Sequence, residues 1–512
     1  MTDWTSGYVA DVDYSFGYYP ELNPLRARMV FLNAGLAPPS PAMACELGFG
    51  QGVSINVHAA ASNTAWWGTD FNPSHAIGAQ RLAAASGAQA QLFDEAFAYF
   101  CHRPDLPDLD SIGVHGVWSW ISDENRAVMV DFFRRKLKPG GHVYVSYNSF
   151  PGHAPTIPLR HLLVRHAEVM SAPGLALVPR IDAALGFAQQ LLAQNPAFAV
   201  AFPNIGARLE RMIGEDRHYL AHEYFNRDWR PMHVDEMAQA LGSAKLSFAG
   251  SAHYLDHIDL LNFSEEQRAF LNQIPDPMFR ETVRDFMISQ QFRRDYFVKG
   301  PQRLPRLDRF EATLGERFVL TTKRDKIAFT ATGSAGEKTL REDVYLPILD
   351  ALEDHQPKSF AELLAACGRG GEGFTQLFEA LIVLIGKGDV VPAQTDAVVG
   401  ASRQGAEQLN RAIMALARSD QTITVLASPV TGGGVSVGRF QQLFLLARLQ
   451  GAASPTDWGA YAWKCLADQG QRVLADGKAL ESPEENLAEL TRLAVAFETE
   501  QLPMLKATLI AS

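Results

Sequence analysis

The chain has 512 residues, 20% of them charged and 47% hydrophobic, and carries a formal net charge of −11. That length accommodates two to four domains with cores of their own, and the composition is that of a folded chain, not a disordered one. The acidic balance argues against nucleic-acid binding by bulk electrostatics.

Cys45, Cys101, Cys367 and Cys465 are widely spaced and form no CxxC, which predicts free thiols in a reducing compartment. The chain starts Met1-Thr2-Asp3-Trp4, with neither a basic nor an apolar leader, and contains no run of roughly 18 apolar residues. The expectation is a cytoplasmic protein with no membrane insertion.

Residues 12–27 are rich in aromatics, with Tyr14, Phe16, Tyr18 and Tyr19 ahead of Pro20, Asn23 and Pro24. A helix is expected over 24–33. Pro38, Pro39 and Pro41 then punctuate the approach to the first strand. Strands are predicted at 42–47, 65–70, 89–93, 111–117 and 142–147, with helices at 53–61, 73–85 and 123–137. The last helix is expected to stop at Lys138-Pro139-Gly140-Gly141. Such alternation predicts an α/β fold, a doubly wound, Rossmann-like parallel sheet.

Residues 155–226 carry helical periodicity without strand signals and are expected to be a helical insertion. A helix at 234–241 and a strand at 246–250 return to the sheet, so that 1–262 forms one domain. Residues 263–335 form a regulatory or connecting region, helical and charged over 264–298, with short strands at 317–321 and 326–330. Within 336–395, helices at 345–352, 359–366 and 374–387 precede a β-like end at 389–392, a winged-helix-like pattern. Its few clustered Lys and Arg argue against a nucleic-acid partner. Residues 396–512 are expected to be a mainly helical domain, apart from 422–427 and the loop Thr431-Gly432-Gly433-Gly434.

The strongest motif is Glu46-Leu47-Gly48-Phe49-Gly50-Gln51-Gly52, with Asp70 eighteen residues beyond its last glycine. A dinucleotide turn would place its third glycine at Val53. The spacing here is Glu-x-Gly-x-Gly-x-Gly, which points to S-adenosylmethionine. Gly48, Gly50 and Gly52 leave backbone bare for close approach. Glu46 can meet the ammonium and Asp70 the ribose hydroxyls, while Asp94 or its neighbour Glu95 can receive the adenine amino group. Phe49, Phe71 and His115 complete the expected cofactor set. An acid at a strand end also serves as a helix N-cap, a structural role open to Asp70.

The fourth strand runs into His115-Gly116-Val117-Trp118-Ser119-Trp120 and the fifth into Ser146-Tyr147-Asn148-Ser149-Phe150-Pro151-Gly152. Both lie at the carboxyl edge of the sheet, where ligands bind in open α/β folds. Trp118, Trp120 and Tyr147 can wall a substrate amine through cation–π contact, with Tyr18 and Asn148 as further substrate contacts. Tyr19 and Tyr147 are candidates for positioning the acceptor, and His115 for a base. His218 and His222, like His253 and His257, stand four apart, but neither pair is HExxH. No metal site is expected, and His222-Glu223 can instead close over the cleft.

These motifs, with Tyr19-Pro20 through Arg26, Tyr219-Leu220-Ala221-His222-Glu223-Tyr224, Phe292-Arg293-Arg294-Asp295 and Leu426-Ala427-Ser428-Pro429-Val430-Thr431-Gly432, span nearly the whole chain. Together they resemble class I methyltransferases that carry a methyltransferase regulatory domain. That family includes bacterial lysine methyltransferases acting on outer-membrane proteins. The resemblance implies S-adenosylmethionine as cofactor, S-adenosylhomocysteine as its product, and N-methylation of a protein side chain such as lysine. A glycan or small natural product is the alternative acceptor, and a non-catalytic scaffold the alternative role. Monomer and dimer are both open.

Overall fold

The computed structural model describes residue 8 and residues 16–512, apart from 173, 368–372 and 476. Tyr14 therefore lies outside the described residues. The expected βα alternation is present. Helix α1 (Pro24–Asn33) leads into β1 (Met43–Leu47), α2 (Val53–Ala61), β2 (Ala65–Thr69), α3 (Pro73–Ser86), β3 (Ala90–Phe93), α4 (Phe97–Phe100), β4 (Leu109–Val114), α5 (Asp123–Lys136) and β5 (Leu137–Asn148). Local chemistry sets the ends. Asn23 caps α1 and Asn72 caps α3, each followed by a proline whose missing N–H costs nothing there. Asn72 thus holds the capping place open to Asp70, whose Oδ1 instead accepts from the Asn72 amide at 3.0 Å.

Two sequence expectations give way here. Lys138-Pro139-Gly140-Gly141 does not end a helix but lies inside β5, where the register against β4 shifts between Leu109 and Ser111. The boundary at 262 gives way too. After the insertion come α11 (Val234–Gly242), β6 (Leu246–Ser251), α12 (Asp259–Asn262), α13 (Glu265–Leu271), α14 (Pro277–Ile288) and β7 (Phe292–Lys299). Strand β7 slots between β5 and β6, antiparallel to both, in a seven-stranded sheet of order β3-β2-β1-β4-β5-β7-β6. Its charges made it look like a helix surface. They are instead neutralised inside: Arg293 bonds Asp285 at 2.5 Å and Asp295 at 2.8 Å, and Arg294 bonds Glu21 at 2.7 Å. Tyr296, Phe297 and Val298 are buried, as a strand covered on both faces requires.

The insertion consists of α6 (Thr156–Val169), α7 (Leu177–Leu192), α8 (Ala197–Ala201), α9 (Ile205–Gly214) and α10 (Arg217–Tyr224). It closes its own core around Leu163, Ile181, Leu185 and Leu209. The chain continues through α15 (Arg306–Leu314), β8 (Arg317–Leu320), the hairpin β9 (Thr330–Gly333) and β10 (Gly336–Thr339), α16 (Glu342–Ala351), β11 (Lys358–Ser359), α17 (Phe360–Ala366), α18 (Gly373–Lys387) and β12 (Val390–Ala393). The three helices share a sheet of order β11-β8-β12, whose middle strand comes from before the helices. No described strand after β12 joins it as a wing. One continuous core runs from Val30, Tyr144 and Tyr296 to Phe318, Ile348 and Leu381, so this unit is fused to the main sheet.

The last segment comprises α19 (Asp396–Leu416), the hairpin β13 (Val425–Ser428) and β14 (Gly433–Ser436), α20 (Arg439–Leu449), α21 (Pro455–Ala467), the short pair β15 (Leu474–Ala475) and β16 (Lys478–Ala479), α22 (Pro483–Glu500) and α23 (Leu502–Ala507). Its core is shared with Val53, Val57 and Leu82 of α2 and α3. No described helix is long and apolar enough to cross a membrane.

Phe297 on β7 is fully buried. Phe297→Ala should cost about 3–5 kcal/mol, the usual range for an aromatic lost from a core. A urea titration would register this as a lower midpoint with an unchanged slope.

Candidate functional site

The site is built at the carboxyl ends of the parallel strands. Between β1 and α2 the chain turns through Gly48 and Gly50, at φ +77° and +56°. A side chain is doubly unwelcome at Gly48, because a Cβ there would stand 2.5 Å from Val117 Cγ2. The Gly48 amide donates to Thr69 O at 2.8 Å, and the Gly50 amide to Asp70 Oδ2 at 2.9 Å. These bonds lock the turn to the tip of β2 and leave bare backbone facing a cleft. Gly52 does not line the cleft. It faces α3, where its Cβ would lie 2.3 Å from Ala79 Cβ.

Glu46, Gly48, Phe49, Gly50, Asp70 and Phe71 form the floor of the cleft. Glu46 is 2% exposed, and its Oε2 has no hydrogen-bond partner among the described residues. Burial, reinforced by the charge of Asp70, pushes its carboxyl up to about 8. A buried acceptor with no donor is costly, and a cationic ligand would supply one. Asp70 is engaged by the turn and also by His75 Nδ1 at 3.2 Å. Phe97, Trp120 and Ile121 add an apolar slot, and Tyr8 covers the opening, its ring 5.7 Å from both Phe71 and His222.

Asp94 is exposed and does not line this slot. Glu95 turns to Arg103 at 2.6 Å. The expected acidic contact after β3 is therefore replaced by the aromatic wall of Phe71 and Phe97.

Beyond β4, His115 is sandwiched. Tyr19 stacks on it at 3.6 Å between ring centres, and its Nδ1 shares a 2.8 Å hydrogen bond with Tyr144 Oη. Burial draws the imidazole down to about 4, so it is neutral near pH 7. It is thus a weak base that fixes its neighbours. Tyr147 is on the wrong face of β5 for the role expected of it: its hydroxyl donates to Asp295 Oδ2 at 2.7 Å in the interior. Alternation explains the swap. Ser146 accepts from the Gly116 amide and Asn148 lines the site, so Tyr144, two and four residues away, shares their face. Reading that period from Asn148 would have found Tyr144.

Trp118 and Tyr18 are corrected likewise. Trp118 is buried with its indole donating to Met232 Sδ at 3.3 Å, away from the cleft, whereas Trp120 lines it. Tyr18 points backwards, its Oη accepting from the Gly434 amide at 2.7 Å.

Tyr19, His115, Gly116 and Trp120 also line a wider chamber beside the cleft. Its far wall is the insertion: Arg208 on α9, then Asp216 and the α10 residues His218, Tyr219, His222 and Glu223. Asn148 and Phe292 complete it on the sheet side. Glu223 is half-buried, and its loss of hydration there raises its carboxyl to about 7. Sequence reasoning gave Glu223 a covering role and passed over Tyr8. The alternation of His218 and His222 with Glu223 placed one helical face here but not what that face encloses. No group of three His, Cys, Asp or Glu arranged to hold a metal occurs among the described residues.

Residues 216–299, from α10 to the end of β7, match the family model "Predicted methyltransferase regulatory domain". The uncharacterized protein sll1526 of Synechocystis sp. is 37% identical over 507 residues, covering 98% of both chains. The solved structure of PKMT2 from Rickettsia typhi in complex with AdoHcy superposes with a TM-score of 0.68 at 15% identity, over 97% of this chain and 99% of that one. A second structure of PKMT2 gives 0.67 at 16% identity, over 96% and 99%. At these identities the PKMT2 structures establish the fold.

Glu46 titrates well above an unfolded glutamate, so its contribution to stability is complete below about pH 4.5 and is lost as pH rises through about 8. Glu46→Gln should remove that share of the loss. Urea unfolding of the ligand-free protein at pH 5, 7 and 9 should show a steeper decline for the wild type than for the variant, which keeps the share due to Glu223, with a difference on the order of a few kcal/mol.

Proposed function

We propose that this chain, which belongs to the S-adenosylmethionine-dependent class I methyltransferases with a methyltransferase regulatory domain, methylates a protein side-chain amine such as that of lysine. When bound, S-adenosylmethionine supplies a methyl group made electrophilic by its sulfonium. The residues present fit that ligand. Glu46, whose Oε2 has no partner among the described residues and which a nearby cation would draw to its charged form, suits an ammonium, and the bare backbone at Gly48 and Gly50 suits close approach of an amino-acid chain. Asp70 suits the ribose hydroxyls, and the slot of Phe71, Phe97 and Ile121 suits a flat base.

The observation that carries the acceptor is the chamber next to the cleft. It is lined by Tyr19, Trp120, Tyr219 and Phe292 and by the half-buried Glu223. Aromatic faces and a carboxylate favour a cation on a long stem, which a lysine side chain provides. The motif resemblance to bacterial lysine methyltransferases points the same way. In this reading Tyr19 and Trp120 align the amine, and Glu223 holds the ammonium and takes its proton. Neutral His115 keeps Tyr19 in place. Tyr8 and α10 exclude water, which would otherwise compete for the reacting geometry.

Labelled S-adenosylmethionine with a cell extract tests the acceptor. Label released by protease and recovered as methylated lysine is expected; label that resists protease and follows polysaccharide or small molecules would overturn the reading. Gly50→Val should weaken S-adenosylhomocysteine binding by roughly 100-fold in calorimetry, because a side chain would occupy the approach and strain a left-handed residue. With Glu223 titrating near 7, kcat/KM should rise as pH passes through that value. Glu223→Gln should lower kcat/KM by about 100-fold, flatten that profile, and leave cofactor affinity intact.

A further inference from the structure

The glycine hairpin of the last segment, Thr431-Gly432-Gly433-Gly434, has no part in the chemistry above. It lies directly behind the active site. Residues 16–23 form a strap between the sheet and the C-terminal helices. At Tyr19 the strap is extended, with φ −120° and ψ 99°, so Tyr18 and Tyr19 point to opposite sides. On the front, Tyr19 lines the cleft and stacks on His115 at 3.6 Å. On the back, Tyr18 Oη accepts from the Gly434 amide at 2.7 Å, and Asn23 Nδ2 donates to Thr431 O at 3.2 Å.

The hairpin is itself anchored from several sides. Asn410 of α19 brackets Ala427, accepting from its amide at 2.7 Å and donating to its carbonyl at 2.8 Å. Ser428 donates to Thr508 O at 2.8 Å. Gln394 donates to Pro429 O at 2.7 Å and to Ala61 O of α2 at 2.8 Å. The strap also has a fixed point in front, where the Tyr19 amide donates to Ser54 Oγ at 2.8 Å. The fit is tight enough that a side chain would push on the strap. A Cβ on Gly433 would stand 2.6 Å from Tyr18 Oη and 2.9 Å from Asn23 Nδ2, and its other close neighbour is His58 at 3.5 Å.

We infer that this hairpin is a positioning element of the active site: by clamping Tyr18 and Asn23 it sets the place of Tyr19, and through Tyr19 that of His115. The C-terminal segment then acts on the chemistry from behind the cleft, without reaching into it. The inference rests on the reading of the cleft as the S-adenosylmethionine site only where cofactor affinity is the measure.

The test uses the full chain with Gly433→Ala, whose added methyl meets strap residues first, with Tyr18→Phe, which deletes the clamp's hydrogen bond without adding bulk, and with Trp458→Phe, a conservative change in the buried core of the C-terminal segment that leaves the strap's hydrogen bonds in place. Gly433→Ala should weaken S-adenosylhomocysteine binding roughly tenfold, the effect of about 1.4 kcal/mol, and Tyr18→Phe should weaken it in the same direction. The NMR signal of His115 Cε1–H, which feels the ring of Tyr19, should move in both and stay in place in Trp458→Phe. Unchanged affinity with an unmoved His115 signal in Gly433→Ala would overturn the inference. A Trp458→Phe that moves the signal as far as Gly433→Ala does would also overturn it, since that marks general damage. If the wild type itself fails to bind S-adenosylhomocysteine, the cofactor reading falls, and the His115 signal alone decides the clamp.

Discussion

The hydrogen bond from the Gly50 amide to Asp70 Oδ2 joins the tips of the neighbouring strands β1 and β2, and the geometry of the site depends on it. It holds the glycine turn open toward the cleft and fixes Asp70 at the same time. With Asp70 committed to Gly50, Asn72 and His75, its charge stays in place beside Glu46. That charge and burial raise the Glu46 carboxyl to about 8, so in the empty protein it is protonated near pH 7. A cationic ligand at the strand tip would draw it back to the carboxylate. The turn and Asp70 are fixed beforehand, and preorganisation of this kind favours affinity.

What was readable in the sequence was what local rules determine. Positive φ at successive turn positions demands glycine, so Gly48 and Gly50 announced the turn, and Pro24 and Pro73 announced the helix starts. What stayed hidden was facing. Tyr144 and Tyr147 sit in one strand, and only the packing on each side decides which reaches the site. Tyr18 and Tyr19 pose the same problem one residue apart, and Trp118 and Trp120 pose it across a short turn. Strand β7 was missed for a different reason. Its Arg293-Arg294-Asp295 run reads as surface, and acids outside the strand, Asp285 and Glu21, help Asp295 make it fit an interior strand.

The division into domains weakens on the same evidence. Matched residues 216–299 begin with the helix that carries Glu223 and end with the strand that fills the main sheet. This segment supplies a wall of the chamber and a structural strand of the fold, so it cannot act as a detachable regulator. The three-helix unit shares its core with α1 and the sheet, and the C-terminal helices share theirs with α2 and α3. A change in packing at either place has a short mechanical route to the strand tips.

The proposed chemistry sets one further demand. A sulfonium and an ammonium repel, and two unit charges 4 Å apart at an effective dielectric of 20 cost about 4 kcal/mol. The site meets this with carboxyl groups on both sides and by keeping the group between them uncharged. Glu46, which a bound cation would draw to its charged form, and Asp70 lie on the cofactor side, and Glu223 lies on the acceptor side. His115, central to both, is kept neutral by burial, although Glu21 favours its cation. Arg294, whose charge disfavours that cation, is paired with Glu21 at 2.7 Å. An imidazolium at this position would add a third positive charge where two already meet. The same burial that makes His115 a poor base thus suits it to brace Tyr19, and it leaves proton removal to the carboxylate across the chamber.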